Sequence, residues 1–195
     1  MPSELERLAC EPGANSRLLR RTGGARPWEQ LRGPLDAATL ASLPRDGPQS
    51  SSWILLVNAL DRVTDGDGLL THVGKALAPS LWRLDDLQAS VAAGAGATVG
   101  PHTDDHDALL VQSLGAKRWD VCADPKWHHP GAREPGGSGT LAAFVPSLSV
   151  VLAPGDALYI PPRVAHGGVA TGPGVTYSVG FISPTKPDGV CSSRQ

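Results

Sequence analysis

The sequence predicts one mainly β domain with a few short helices near its N-terminus. Glycine (23 residues) and proline (18 residues) together supply about a fifth of the 195 residues, which favours many short elements joined by turns. Residues of the class AVILMFWYC make up 41% of the chain and charged residues 18%, so a packed core is feasible and wholesale disorder is not expected. A chain of 195 residues suits a single domain with one hydrophobic core.

Charge and hydropathy exclude several classes of protein. The formal net charge is −2 at pH 7, so no overall electrostatic field attracts nucleic acid or an anionic membrane surface. No apolar run reaches the roughly 18 residues of a membrane span, and the acidic N-terminus is unlike a secretory signal. The three cysteines are odd in number and far apart, which is typical of free thiols. We therefore expect a soluble intracellular protein with no membrane partner and no direct nucleic-acid partner.

The N-terminal half alternates short helices with strands. Residues 3–10 combine a capping Ser, a Glu three positions later and leucines at helical spacing, which predicts an amphipathic helix. Residues 16–21 are interpreted as a strand whose arginines lie at a solvated edge. Residues 35–43, between two prolines, predict a helix of two to three turns. The continuous apolar run at 52–59 predicts a strand covered on both faces, and residues 69–77 predict a helix after a turn rich in Asp and Gly.

From residue 87 onward, short apolar segments are separated by turns, which predicts a meander of strands. Residues 124–139 are rich in proline and glycine and are expected to form a surface loop, with His128 and His129 as loop residues. The predicted strands are residues 87–92, 94–100, 102–114, 117–122, 147–152, 157–160 and 176–183.

The residues that carry chemistry are His102, Asp104 and, 62 positions after Asp104, His166. In a strand, residues i and i+2 project to the same face, so His102 and Asp104 could both reach one point inside a barrel. His166 follows a predicted strand and a diproline corner, so a neighbouring strand could deliver it as a third ligand. Two imidazoles and one carboxylate leave metal positions open, as non-haem Fe(II) oxygenases require. Alternatively, His102 and Asp104 form a simple hydrogen-bonded pair.

Lys117 falls on the next predicted strand, fifteen residues after His102. We expect it on the same hairpin, where a buried amine needs an anion such as the distal carboxylate of 2-oxoglutarate. The alternative is an ordinary exposed lysine. Asp105, His106 and Asp107 either line a substrate entrance or belong to a solvated loop. The glycine-rich residues 94–100 are not a phosphate-binding loop, because a proline and a strand follow where a helix N-terminus is required.

Seven segments in order along the chain resemble the JmjC-type cupin domain of the ribosomal oxygenases, which are Fe(II)- and 2-oxoglutarate-dependent protein hydroxylases. The resemblance covers nearly the whole chain, and the order and spacing of the motifs make it far more specific than any single motif. The segments are residues 16–19, 52–57, 82–87, 99–104, 115–119, 155–162 together with His166, and 176–181.

The resemblance implies a double-stranded β-helix, a jelly-roll of the cupin and JmjC type. It implies a segment at residues 1–50 packed on the barrel, a catalytic core at 51–185 and a C-terminal tail at 186–195. It also implies that Fe(II) is held by His102, Asp104 and His166, which are therefore the expected catalytic and metal-binding residues. Lys117 is expected to pair with the C5 carboxylate of the cosubstrate 2-oxoglutarate. Thr176 is the second expected cosubstrate-binding residue, at a position where bacterial relatives place an Asn near the cosubstrate.

The function implied by the resemblance is hydroxylation of a side chain in a ribosomal protein. The target is arginine in bacterial family members and histidine in eukaryotic ones, to which lysine demethylation of histones has also been ascribed. The compartment would be the cytoplasm for a bacterial protein and the nucleus or nucleolus for a eukaryotic one. Relatives carry further segments, including a helical dimerisation region that is absent here, so the sequence leaves open whether this chain forms a dimer.

Two other functions fit the sequence. The chain could be a truncated JmjC cupin that binds partners without turnover, or a fragment of a longer gene product. It could also be a cupin isomerase or dioxygenase that uses zinc or manganese without 2-oxoglutarate. That reading is disfavoured, because such sites usually hold more histidines than this one and because Asp104 and Lys117 are present.

Overall fold

The fold consists of two antiparallel sheets that enclose a cavity. The computed structural model describes residues 3–21, 28–44, 52–60, 84–128, 130–133 and 139–181. The larger sheet has seven strands in the order β2-β1-β3-β4-β10-β5-β8, and the smaller has three in the order β7-β6-β9. The strands are β1 Arg17–Arg21, β2 Trp28–Arg32, β3 Trp53–Val57, β4 Leu84–Ala92, β5 Asp107–Leu114, β6 Lys117–Cys122, β7 Leu148–Leu152, β8 Ala157–Ile160, β9 Ala165–Ala170 and β10 Gly174–Phe181.

The chain passes back and forth between the two sheets, so the predicted meander is wrong. β5 pairs with β10 and β8 in the larger sheet, whereas β6 pairs with β7 and β9 in the smaller one. β5 and β6 therefore do not form a hairpin. The chain changes sheet at Gly115, which has φ +64°, and a Cβ there would lie 2.1 Å from the carbonyl oxygen of Pro173. Glycine is required at this crossing because an L side chain would be both strained and obstructed.

The N-terminal elements follow the predictions with two differences. Helix α1 (Ser3–Ala9) and strands β1 and β3 are present as expected, and every residue of β3 is buried. Helix α2 (Ala37–Ala41) is shorter than predicted at both ends. Its start is set by the Asp36 side chain, which accepts a hydrogen bond of 2.7 Å from the Thr39 amide and caps the helix there. Strand β2 was not predicted, since its polar sequence carries no period-2 pattern. β1 and β2 extend the larger sheet beyond β3.

The second half of the chain contains three further corrections. Residues 94–100 form no strand, and the strand predicted at 102–114 begins only at Asp107. Strand β9, which carries His166, lies in a segment that the prediction left unassigned. The loop at 124–139 includes two short 3₁₀ turns, Pro125–His128 and Pro130–Ala132, and buries Trp127. The helix predicted at 69–77 and the tail at 186–195 fall outside the described residues.

Alternate residues of the larger sheet face two different environments. One face packs against α1 and α2 and buries Leu8, Leu18, Trp53 and Leu55 in the main core cluster. The opposite face looks toward the smaller sheet, where a second cluster contains Leu110 of β5 and Trp119 of β6. This separation leaves the space between the sheets free for polar side chains. In the part of the chain that is described, no helix is long and apolar enough to cross a membrane.

Candidate functional site

A cavity of about 370 Å³ lies between the two sheets. The floor of the cavity is formed by side chains on one face of the larger sheet. They share this face because alternate residues of neighbouring strands point the same way. The strand register places Ser90 of β4 opposite Thr176 of β10, and Gln88 opposite Ser178. The roof comes from Lys117 and Trp119 of β6, His166 of β9 and the loop at 102–106. The floor residues are Asp86, Gln88, Ser90, Thr176, Ser178, Gly180, Ala108 and Leu110.

His102, Asp104 and His166 meet at the roof of this cavity. Their ligand atoms all lie within 4.8 Å of one another. The Oδ2 atom of Asp104 is 3.8 Å from Nε2 of His102 and 3.6 Å from Nε2 of His166. The predicted triad therefore converges on one point, although its backbone setting differs from the prediction. His102 is an isolated bridge residue and Asp104 lies in a loop, so a common strand face is not what brings them together.

Backbone hydrogen bonds hold the three side chains in place. The His102 amide donates to the His166 carbonyl at 2.8 Å, and the His166 amide donates back at 2.9 Å. The Arg163 amide donates to the Asp104 carbonyl at 2.6 Å. These bonds fix the loop that carries His102 and Asp104 to the start of β9, which carries His166.

Both imidazoles are oriented as metal ligands. Nδ1 of His102 lies 2.9 Å from the Gly100 carbonyl, and Nδ1 of His166 lies 2.9 Å from the Val164 carbonyl. Since a carbonyl only accepts, each Nδ1 carries the proton and each Nε2 offers a lone pair to the cavity. Burial, followed by the neighbouring His102, lowers the pKa of His166 to about 4, so that its ring is neutral. Two neutral nitrogens and one carboxylate suit a divalent transition metal with open positions.

Lys117 supplies a buried positive charge in the same cavity. Its side chain is 4% exposed, its Nζ donates to Ser90 Oγ at 3.2 Å, and the amine lies 4.8 Å from the centre of the Trp119 ring. Burial lowers the pKa of Lys117 to about 8. No carboxylate among the described residues forms an ion pair with it. A buried ammonium without an anion is costly, so the site suits an anionic ligand. The alternative of an exposed lysine is wrong, and Lys117 lies on the sheet opposite β5 rather than on a hairpin with it.

Thr176 is also buried in the cavity floor. Its hydroxyl donates to Oε1 of Gln112 at 2.8 Å, and both side chains are almost fully buried. Sequence reasoning did not identify Gln112. The available signal was a glutamine directly after the apolar run Ala108–Val111 of strand β5, since a buried amide needs specific partners.

Arg17 and Asp86 are two further charged residues of the cavity that the sequence did not reveal. The prediction that the arginines of β1 lie at a solvated edge is wrong for Arg17, which is half-buried and lines the cavity. Burial and Arg32 lower the pKa of Arg17, while Asp104 and Asp86 act in the opposite direction. Oδ1 of Asp86 accepts a hydrogen bond of 2.8 Å from the Ala59 amide. The signal for Arg17 was its place beside the fully buried Leu18, since neighbours in a strand face opposite sides.

The three residues after Asp104 differ in their surroundings: one lines the cavity, one is exposed to solvent, and one has neither predicted role. His106 lines the cavity. Asp105 faces solvent, with a side chain 90% exposed and 3.3 Å from Nε of Arg163. Asp107 is buried and accepts a hydrogen bond from the Tyr159 hydroxyl. Only His106 of these three therefore belongs to the cavity.

Comparison with known proteins identifies a domain family and two relatives that are described as a ribosomal protein hydroxylase and a probable ribosomal oxygenase. The JmjC domain family matches residues 72–188. The ribosomal protein uL16 3-hydroxylase of Escherichia coli (strain K12) is 33% identical over 187 residues, which cover 94% of this chain and 45% of that protein. A probable ribosomal oxygenase of Haemophilus influenzae (strain ATCC 51907 / DSM 11121 / KW20 / Rd) is 31% identical over 186 residues, which cover 94% of this chain and 43% of the relative. The chain thus spans less than half the length of these relatives.

Solved structures agree with this relationship. The ribosomal oxygenase YcfD from Escherichia coli, in complex with cobalt and 2-oxoglutarate, superposes with a TM-score of 0.71 at 32% identity, covering 95% of this chain and 44% of that one. Its complex with cobalt and succinic acid gives the same TM-score. This likeness confirms the predicted mainly β cupin fold. Because the family match also extends over more than half of the sequence, the chain belongs to the JmjC domain family.

Proposed function

We propose that this chain is an Fe(II)- and 2-oxoglutarate-dependent oxygenase that hydroxylates a side chain of a ribosomal protein. One observation carries the proposal: a facial set of two histidines and one carboxylate shares a cavity with a buried lysine that has no carboxylate partner among the described residues. The relatives support it, since YcfD binds a metal and 2-oxoglutarate together. The proposed catalytic core is residues 51–185, with residues 1–50 packed on it and 186–195 as a tail.

The proposed roles of the side chains follow from their chemistry. The Nε2 atoms of His102 and His166 and the carboxylate of Asp104 would hold Fe(II). Lys117 would bind the C5 carboxylate of 2-oxoglutarate through its ammonium group. The bound iron and cosubstrate would supply the oxidation, with succinate and carbon dioxide as coproducts. A volume of about 370 Å³ accommodates a small dicarboxylate and leaves room for one side chain of a protein substrate.

The protein would contribute to the reaction by positioning the bound groups and by excluding water from the cavity. Trp119 in the roof of the cavity, and Leu110 and Ala108 in its floor, provide apolar walls beside the polar side chains. Such walls strengthen the charge interactions of the ligands and keep bulk water from the reacting centre. Asp86, Gln88 and Ser178 offer polar groups to a target side chain, which suits the arginine or histidine expected for this family better than an apolar residue. Demethylation of histone lysine is the lesser expectation.

The test is succinate formation from 2-oxoglutarate by the purified chain, with Fe(II), ascorbate, air and ribosomal protein uL16. We expect iron-dependent succinate from the wild type and none above background from Asp104→Ala. Mass spectrometry of uL16 should show an added oxygen atom on one residue. If the wild type binds metal and 2-oxoglutarate but forms no more succinate than Asp104→Ala, the oxygenase proposal fails. The alternative of a non-catalytic JmjC binding module is then favoured.

A further inference from the structure

We propose that Arg17 and Arg32 together bind one carboxylate of the substrate protein, on an acidic residue close in sequence to the residue that is hydroxylated. This inference rests on the proposed function, because it requires a protein segment to enter the cavity. The two arginines, which form the arginine pair, lie on β1 and β2 at one edge of the larger sheet. Their arrangement is unfavourable without a ligand, and it adjoins the proposed site.

Arg17 and Arg32 are directly opposite each other on the two strands. Opposite side chains of an antiparallel pair share a face with Cβ atoms about 5 Å apart, and like charges there are destabilising. Burial, followed by the charge of Arg32, lowers the pKa of Arg17. In the ranges that the structure describes, no carboxylate forms an ion pair with either guanidinium. An anion between the two side chains would therefore relieve their repulsion.

The same two strands contain an arginine with a structural partner. Arg20 lies opposite Glu29, and its Nε donates to the carboxylate at 2.7 Å. Since successive residues of a strand point to opposite faces, this ion pair lies on the face away from Arg17. Opposite charges thus meet on one face of the strand pair and like charges on the other. The unpaired like charges indicate a binding role rather than a stabilising one.

The arginine pair extends from the edge of the sheet to the cavity. Arg32 is exposed, whereas Arg17 is half-buried and lines the cavity wall. The register continues from Arg17 to Leu56 of β3 and from Leu56 to Ser90 of β4, and all three side chains line the cavity. A protein segment that enters the cavity from this edge would pass over both guanidinium groups. Planar guanidinium groups bind a carboxylate through parallel hydrogen bonds.

A carboxylate of a protein fits the arginine pair better than the phosphates of a nucleic acid do. The formal net charge of the chain is −2, so no general field attracts a polyanion. Nucleic-acid binding depends on several phosphate contacts spread along a surface. Here two guanidinium groups meet at one point, and one of them is half-buried in the cavity wall. This arrangement suits a single anionic group carried by an extended protein segment.

The test measures binding of two peptides by calorimetry to enzyme loaded with Co(II) and 2-oxoglutarate without oxygen. One peptide is the uL16 segment centred on the hydroxylated residue, and the other has every Asp and Glu of that segment replaced by the amide. The wild type should bind the native segment about tenfold more tightly, as expected for hydrogen bonds between charged groups. In Arg32→Met the difference should fall below about twofold, because the charge pair is lost. Arg20→Met is the matched control and should keep the tenfold difference.

Thermal melting distinguishes a binding role of Arg32 from a structural one. Arg32→Met removes the repulsion from Arg17, so the variant should melt at the same temperature as the wild type or higher. Arg20→Met loses an ion pair and should melt lower. A melting temperature of Arg32→Met as low as that of Arg20→Met would overturn the inference. So would a weaker affinity of Arg32→Met for 2-oxoglutarate, which would place the cosubstrate rather than the substrate at the arginine pair.

The outcomes separate this inference from the proposed function. If the wild type binds the native and the amide segments equally, the inference is wrong and the proposed function stands. If oligouridylate displaces the native segment from the wild type but not from Arg32→Met, the arginine pair binds phosphate and the inference is also wrong. If the wild type binds Co(II) and 2-oxoglutarate but neither segment, the proposed substrate is wrong and the inference fails with it.

Discussion

Gly168 of β9 lies directly against the aliphatic stem of Lys117 of β6. A Cβ atom at Gly168 would lie 2.6 Å from Cε of Lys117 and 2.9 Å from Cη2 of Trp119. Contacts this short require a neighbour to move, and the lysine stem is the more flexible of the two. The absence of a side chain at Gly168 therefore provides the space in which the buried ammonium group sits.

Replacement of Gly168 by alanine should displace Lys117 and weaken the binding of 2-oxoglutarate. We expect about a tenfold rise in the dissociation constant, together with a loss of stability of about 1–3 kcal/mol from overpacking. Calorimetric titration and thermal melting measure the two effects. Gly172→Ala is the matched control, because a Cβ at Gly172 would meet nothing within 4 Å. Unchanged affinity in Gly168→Ala would show that Lys117 does not bind the cosubstrate from this position.

Asp104 and its neighbour Asp105 should respond differently to removal of the carboxylate. Asp104→Ala should abolish detectable Co(II) or Fe(II) binding, because its Oδ2 faces both imidazole Nε2 atoms at less than 4 Å. Asp105→Ala should leave metal affinity nearly intact, since its side chain is 90% exposed and pairs with Arg163. Metal titration of the two variants is the measurement. Equal losses in both would refute the ligand assignment.

The convergence of His102, Asp104 and His166 could be predicted from sequence, although their role as metal ligands stays a prediction. The combination of His102 and Asp104 with a distant His166 suggests a metal site, and the surrounding motifs resemble one family. The relation of Lys117 to its neighbours was predicted wrongly, because a period of two residues indicates which face a side chain takes but not which strand pairs with which. Nothing in the residues around Gly115 indicates that the chain changes sheet there.

Arg17 and Gln112 show a second limit of sequence reasoning. A charged residue next to two leucines in an N-terminal strand indicates a solvated edge, and only the placement of β1 beside β3 brings Arg17 over the cavity. Gln112 acquires a role only through Thr176, which is 64 residues away in sequence. Contacts between distant segments decide both cases. The local pattern indicates only that Arg17 faces away from Leu18 and that Gln112 interrupts an apolar segment, and it does not identify what either side chain contacts.

The pKa of Lys117 predicts a specific pH dependence of cosubstrate binding. Burial lowers this pKa to about 8. Below pH 8 the amine is charged and attracts the dianion, whereas above pH 8 binding must first take up a proton. Affinity for 2-oxoglutarate should therefore be nearly constant from pH 6.5 to about 7.5 and fall about tenfold per pH unit above 8. Calorimetry in buffers of different ionisation enthalpy should detect proton uptake near pH 8.5.

Lys117→Arg is the control for this pH dependence. A guanidinium group stays protonated throughout the range, so the decline above pH 8 should disappear even where the affinity itself is lower. An identical decline in Lys117→Arg would assign the titration to another group.

Arg17 should oppose the binding of a metal cation. Its guanidinium lines the same cavity as the triad. Burial lowers the pKa of Arg17, and Asp104 is close enough for its carboxylate to offset part of that fall. Because like charges repel across a partly desolvated site, Arg17→Met should increase affinity for Co(II) by about threefold to tenfold. The increase should shrink only modestly at high salt, since buried charges are screened less than exposed ones. Arg20→Met is the matched control on the same strand, because Arg20 pairs with Glu29 at 2.7 Å and does not line the cavity. Weaker metal binding in Arg17→Met would mean instead that Arg17 orients the Asp104 carboxylate, and its charge would then support the site rather than oppose it.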